Sequence, residues 1–185
     1  MAFVFDAAPG SNTANSYVSV ATADDYFAAH LESSFWAIPA AKKQAALVQA
    51  TNRIDREKFG GQLTNRNVQK LQFPRSYVLS RDSMMVNPDF SDAYNTYYFR
   101  NPDIIPEEIK QATCEMALYY LKQVSGEYSV DDNDLETLTN YKVGPLDLAI
   151  KDGIKADRLP TRVAELLKAL GSNGWLSGQP LRFTA

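Results

Sequence analysis

Apolar residues recur at helical spacing along much of this chain and alternate in only two short stretches. The strongest helical pattern is "IPEEIKQATCEMALYYLKQV". Ile109, Ala112, Met116, Tyr120 and Val124 share one face of it, with Ala117 and Leu121 beside them. Pro106 suits its first turn, and Glu107 and Glu108 complement the helix dipole there. "AAKKQAALVQATNRIDREKF" predicts a second helix, with Leu47, Ala50 and Ile54 on one face and Gly60–Gly61 as its stop. "LPTRVAELLKAL" stacks Leu159, Val163, Leu166, Leu167 and Leu170 and ends at Gly171. A shorter helix is expected in "ATADDYFAAHL", capped by Thr22, with Asp24 and Asp25 in its first turn.

The alternating stretches read as strands. "SYVSV" (Ser16–Val20) is one, and "YKVGPLDLAI" (Tyr141–Ile150) gives two pieces broken at Gly144–Pro145. From Gln62 to Asp103 no helical period is sustained, which is long for a connection inside one domain. Two features stand out there: "LQFPRS", and a run containing Tyr94, Tyr97, Tyr98 and Phe99 between two Asn-Pro turn signals. The fold expected is mainly α, a small helix bundle with a minor β element from Ser16–Val20 and Tyr141–Ile150 and a long inserted loop.

Composition narrows the chemistry. The 185 residues are 45% hydrophobic and 22% charged with a net charge of -3, so no bulk positive field is available to hold a polyanion. Cys114 is the single cysteine, which rules out a disulfide within the chain and a cysteine-cluster zinc site. It falls in the core-like third helix and reads as an inert packing residue. His30 is the single histidine, set near a helix end among alanines, and reads as a surface or helix-end residue rather than a general base. "DDNDLE" lacks the glycine and spaced glutamate of a calcium loop, and "EKFGGQL" lacks the Lys-Ser/Thr of a phosphate loop. No catalytic, metal or cofactor constellation emerges, so no enzyme is expected. There is no signal-peptide pattern and no membrane-span-length apolar run, so a soluble protein made in the cytoplasm is expected. The clustered tyrosines could stack on bases with Arg100 nearby, but packing against protein is the favoured reading in an acidic chain.

Five segments in order, "ANSYVSVATADDYFAAH", "AALVQATNRIDREKFGG", "LQFPRS", "IPEEIKQATCEMALYYL" and "YKVGPLDLAI", resemble tailed-phage head-tail adaptors, also called neck or head-completion proteins. Many members of that family carry the automated label of a DnaT-like single-stranded DNA-binding protein. The resemblance runs from Ala14 to Leu170. It implies a single adaptor-like domain over 1–170, containing the 62–103 excursion, and a docking arm over 171–185. It further implies a virion protein of the neck, self-associated into a dodecameric ring between the portal and the tail or other neck proteins. Double-stranded DNA would pass through such a ring without specific binding, with no cofactor and no membrane involved. A replication protein that binds single-stranded DNA is the alternative. In the adaptor reading Leu71 and Phe73 anchor the loop, Pro74 fixes its turn and Arg75 bonds a carboxylate or backbone carbonyls. The interface candidates are Tyr94, Tyr97, Tyr98 and Phe99 in the excursion, where the chain departs from the family pattern, and Trp175, Leu176, Leu181 and Phe183 in the arm.

Overall fold

A computed structural model describes residues 3–78, 80, 99–125, 140–143, 146–149, 159–168 and 170, with 140–143 and 146–149 described by backbone alone. It is mainly helical, as the sequence pattern predicts. The helices are α1 (Val20–Ala28), α2 (Ala40–Ile54), α3 (Glu107–Ser125) and α4 (Thr161–Lys168), with a 3₁₀ turn at Ser33–Trp36. The strands form two antiparallel pairs: β1 (Gln62–Leu63) with β2 (Arg75–Ser76), and β3 (Asn140–Val143) with β4 (Leu146–Ala149). In the second pair Tyr141 faces Leu148 and Val143 faces Leu146, so the two pieces separate where the sequence pattern breaks them.

Helix α3 is the central element and packs on both α2 and α4. Its Ile109, Ala112 and Ala117 are sealed from solvent, as are Leu47, Ala50 and Ile54 of α2 and Val163 of α4. The expected α3 face is correct over its first three turns and then lifts away. Tyr120 and Leu121 are only partly buried, and Val124 is exposed. Cys114 is buried as expected, and desolvation pushes its thiol up to about 12, so it stays protonated and unreactive at neutral pH.

Three expectations fail for identifiable reasons. Ser16–Val20 is not a strand. Its polar groups bond outside any ladder: Ser16 N–H donates to the Asp6 carbonyl (3.1 Å), Tyr17 N–H donates to Thr51 Oγ1 (3.2 Å), and the Ser16 hydroxyl donates to the Val18 carbonyl (2.8 Å) and accepts from the Val18 N–H (3.2 Å). The apolar alternation there marks two anchors, Tyr17 and Val18, sunk into the core. The cap of α1 is Ser19 rather than Thr22, with Ser19 Oγ accepting from the Thr22 N–H (3.1 Å). Helix α2 stops at Ile54, short of the expected Phe59, because Gln72 reaches in from the following loop. The Gln72 amide donates to the carbonyls of Asp55 (2.5 Å) and Glu57 (2.9 Å), while its backbone N–H donates to Asp55 Oδ1 (2.8 Å). Those bonds satisfy the helix end and bend the chain away.

Candidate interaction surface

The "LQFPRS" segment fastens the start of the excursion to the end of α2. Leu71 and Phe73 are buried, and Phe73 meets Tyr17 and Phe59 edge to face at centroid distances of 6.2 and 4.9 Å. The Phe73–Pro74 peptide bond is cis. Gln69 donates its amide to the carbonyls of Leu71 (2.7 Å) and Pro74 (2.9 Å). Of the two kinds of partner expected for Arg75, a carboxylate or backbone carbonyls, it takes the carbonyls. Its guanidinium donates to the carbonyls of Gly60 (2.7 Å), Gly61 (3.0 Å), Phe59 (3.3 Å) and Gln72 (3.4 Å), and to Gln72 Oε1 (3.1 Å). Burial lowers the pKa of this guanidinium, and Tyr17 and Asp55 act in the opposite sense. Tyr17 in turn donates its hydroxyl to Asp55, and burial raises its pKa well above the ordinary phenol value. Gly61 lets these strands meet: its φ is +73°, and a Cβ there would stand 2.2 Å from the Ser76 carbonyl oxygen.

The chain leaves this buckle through Tyr77, the one described non-glycine residue with positive φ, at 61°. That conformation is unusual for a bulky residue. It turns Val78 inward, where it is buried, and leaves Tyr77 64% exposed. Phe99, 50% exposed, meets Tyr77 edge to face at 5.7 Å, and the Arg100 N–H donates to the Val78 carbonyl (2.8 Å). The two ends of the excursion are thus joined beneath a pair of open aromatic rings. Among the interface candidates read from sequence, Phe99 is placed here. Tyr94, Tyr97, Tyr98, Trp175, Leu176, Leu181 and Phe183 lie outside the described residues. Tyr77 was not legible in the sequence, because no periodicity signals a single left-handed residue.

Among the described residues, the two guanidiniums flanking this pair in sequence, Arg75 and Arg100, are engaged. Arg100 forms a two-pronged pair with Glu108, both bonds 2.8 Å. Elsewhere Lys43 meets Asp24 (2.7 Å), Arg53 meets Glu57 (2.6 Å) and Lys110 meets Glu107 (2.6 Å). The hydrogen bonds from Lys43 and then Trp36 hold the Asp24 carboxyl below the usual carboxylate range.

His30 lies at the C-terminal end of α1, as the helix-end reading has it, but its ring is largely covered rather than open to solvent. Its Nε2 lies 3.2 Å from Glu115 Oε1, and its Nδ1 accepts from the Glu32 N–H (3.2 Å), so Nε2 carries the proton that faces Glu115. Glu115 is 8% exposed and also accepts from the Tyr26 hydroxyl (2.7 Å), with Arg162 of α4 3.5 Å from its other oxygen. Lys122 pairs with Glu32 and lowers its pKa. Burial, reinforced by Glu115, raises that of Tyr26. This network ties α1, α3 and α4 together and contains no nucleophile poised for chemistry. Its signal in the sequence was Glu115 itself, a carboxylate inside the apolar run "TCEMAL" that needs partners if it is buried.

A cleft of about 230 Å³ runs between the N-terminal lead and residues 103–110, lined in part by Tyr17, Ser19, Thr22, Asp103 and Lys110. Among the described residues no three His, Cys, Asp or Glu side chains gather as a metal site requires, and no helix is long and apolar enough to cross a membrane.

These features define a small, mainly helical module that carries an exposed aromatic pair beside the buckle. The chain belongs to the family described as "Putative DnaT-like ssDNA binding protein", whose model matches residues 1–182. No curated protein and no solved structure matches it.

Proposed function

We propose that this chain is a non-enzymatic structural protein of the tailed-phage neck: a head-tail adaptor that forms a ring with its own copies between portal and tail. One observation supports it best. The guanidiniums that flank the open Tyr77–Phe99 pair in sequence are already engaged, Arg75 by carbonyls and Arg100 by Glu108. A platform for single-stranded nucleic acid needs cations that follow the phosphates beside its stacking rings. Rings whose described neighbouring guanidiniums are engaged suit protein contact instead, and a net charge of -3 suits a conduit that lets DNA slide.

The second reading is single-stranded DNA binding, and the family description favours it. Fluorescence anisotropy with labelled oligonucleotides at physiological salt separates the two. The adaptor reading expects no tight binding. Submicromolar affinity that weakens steeply with salt and disappears in Tyr97→Ala or Arg100→Ala would replace it with the second reading.

The arm supplies an independent test. Trp175, Leu176, Leu181 and Phe183 lie among Gly, Ser and Pro, and burying each such side chain is worth about 1.5–3 kcal/mol. Many copies in a ring multiply that contribution through avidity. Removing residues after Gly171 is expected to leave helical content and melting temperature nearly unchanged, by circular dichroism, while abolishing co-assembly with portal protein. Normal co-assembly of the truncated chain, or its unfolding, would refute a docking role for the arm.

A further inference from the structure

Helix α2 differs from its neighbours in charge. Among the described α-helices it alone carries no Asp or Glu, although the whole chain has a net charge of -3. Its apolar residues face the core, and the opposite side leaves Lys42, Ala45, Gln49 and Asn52 exposed at helical spacing. Arg56, also exposed, extends that stripe in the turn after the helix, where its N–H still reaches the Arg53 carbonyl (3.4 Å). From Lys42 to Arg56 the stripe is about 21 Å long at 1.5 Å per residue. Its polar side chains are unused. Among the described residues Lys42, Gln49, Asn52 and Arg56 make no side-chain hydrogen bond or ion pair, whereas Lys43 and Arg53 of the same helix are held by Asp24 and Glu57. The carboxylates on either side of Arg56 are engaged too: Asp55 accepts from the Tyr17 hydroxyl and the Gln72 N–H, and Glu57 accepts from Arg53.

From this stripe we infer that the outer face of α2 is the surface on which the chain meets the phosphate backbone of duplex DNA. The choice of duplex DNA rests on the adaptor reading, in which DNA passes through the ring. Lys42 and Arg56 can pair with phosphates, and the Gln49 and Asn52 amides can donate to phosphate oxygens. Ala45 lets a backbone approach between them. Each strand of a duplex carries one charge per 3.4 Å, so the stripe spans about six phosphates of one strand. It contains no aromatic ring on which an unpaired base could stack, as a surface for single strands requires. Two cations against about six phosphates make a weak contact. Repeated around a ring, such a stripe guides a duplex without gripping it.

A nuclear magnetic resonance titration of the full-length chain with a short DNA duplex tests this. Amide signals across residues 42–56 are expected to shift, with an affinity that falls about tenfold between about 50 and 200 mM salt, as two phosphate contacts imply. Lys42→Gln combined with Arg56→Gln should remove the shifts, while Lys168→Gln, at an exposed lysine of α4, should leave them unchanged. Shifts centred elsewhere, shifts that survive the double substitution, or a preference for an unpaired strand would overturn the inference. Co-assembly with portal protein tells its failure from that of the adaptor reading. A chain that joins portal but shows no shifts along α2 keeps the adaptor reading and loses this inference. Shifts along α2 in a chain that does not join portal keep the inference and overturn the adaptor reading.

Discussion

Arg75→Ala is expected to lower the unfolding free energy by about 3–5 kcal/mol, read from chemical denaturation followed by circular dichroism. The guanidinium makes five hydrogen bonds, four of them to carbonyls of residues 59, 60, 61 and 72. A hydrogen bond to a charged group contributes roughly 1.5–3 kcal/mol, and an acceptor left dry costs about 1–3 kcal/mol. These contributions share one side chain and do not add, which keeps the total near the value of two of them. Domains of this kind have only about 5–15 kcal/mol in total. Arg75→Lys should recover only a minor part of the loss, because an ammonium cannot present a planar fork to several carbonyls. A loss below about 1 kcal/mol for the alanine variant, the usual effect of a surface substitution, would show that the carbonyls are satisfied by water and that Arg75 does not hold the buckle.

Phe73→Ala should be as damaging, at about 3–5 kcal/mol for a buried aromatic truncated to alanine. Phe73 is 1% exposed and touches rings from two separate segments, Tyr17 ahead of α1 and Phe59 after α2. Its removal opens a void that neither neighbour can close without leaving its own position. The matched control is Leu31→Ala, at a position fully exposed, where little change is expected. Equal effects at the two positions would mean that the loop is not anchored through Phe73.

Much of this architecture was legible in the sequence because it is local. The periodic faces of α2, α4 and the first three turns of α3 and the division of the second strand pair depend on residues a few positions apart, and the structure largely places them as read. The buckle was legible for a different reason: an aromatic, a proline and an arginine outside any period have few other uses. Features set by distant partners were not legible. Ser16–Val20 alternates like a strand, but Thr51 captures its N–H from α2. His30 was legible as a helix-end residue, but not the contact with Glu115, 85 residues away, that covers it. The end of α2 is decided by Gln72, which no reading of the helix itself could supply. Of the candidate surface, Phe99 was legible as one of a run of aromatics. Its partner Tyr77 became visible only through a backbone angle.

The packing of α4 on α3 has a consequence for how the chain can change in length. Both helices are held from their own sides, by Val163 and Leu167 in the core and by the Arg162–Glu115 contact at the rim. Residues 126–158 therefore join two elements whose relative position is already fixed by packing. The entropic cost of closing such a connection rises only logarithmically, by about 0.6 kcal/mol for each doubling of its length. An added hairpin or small domain in that stretch would weigh less on folding than the loss of one methylene from the core, where a buried CH₂ is worth about 0.8 kcal/mol. New surface can therefore be acquired between α3 and α4 at little thermodynamic risk, while the bundle itself tolerates almost no revision.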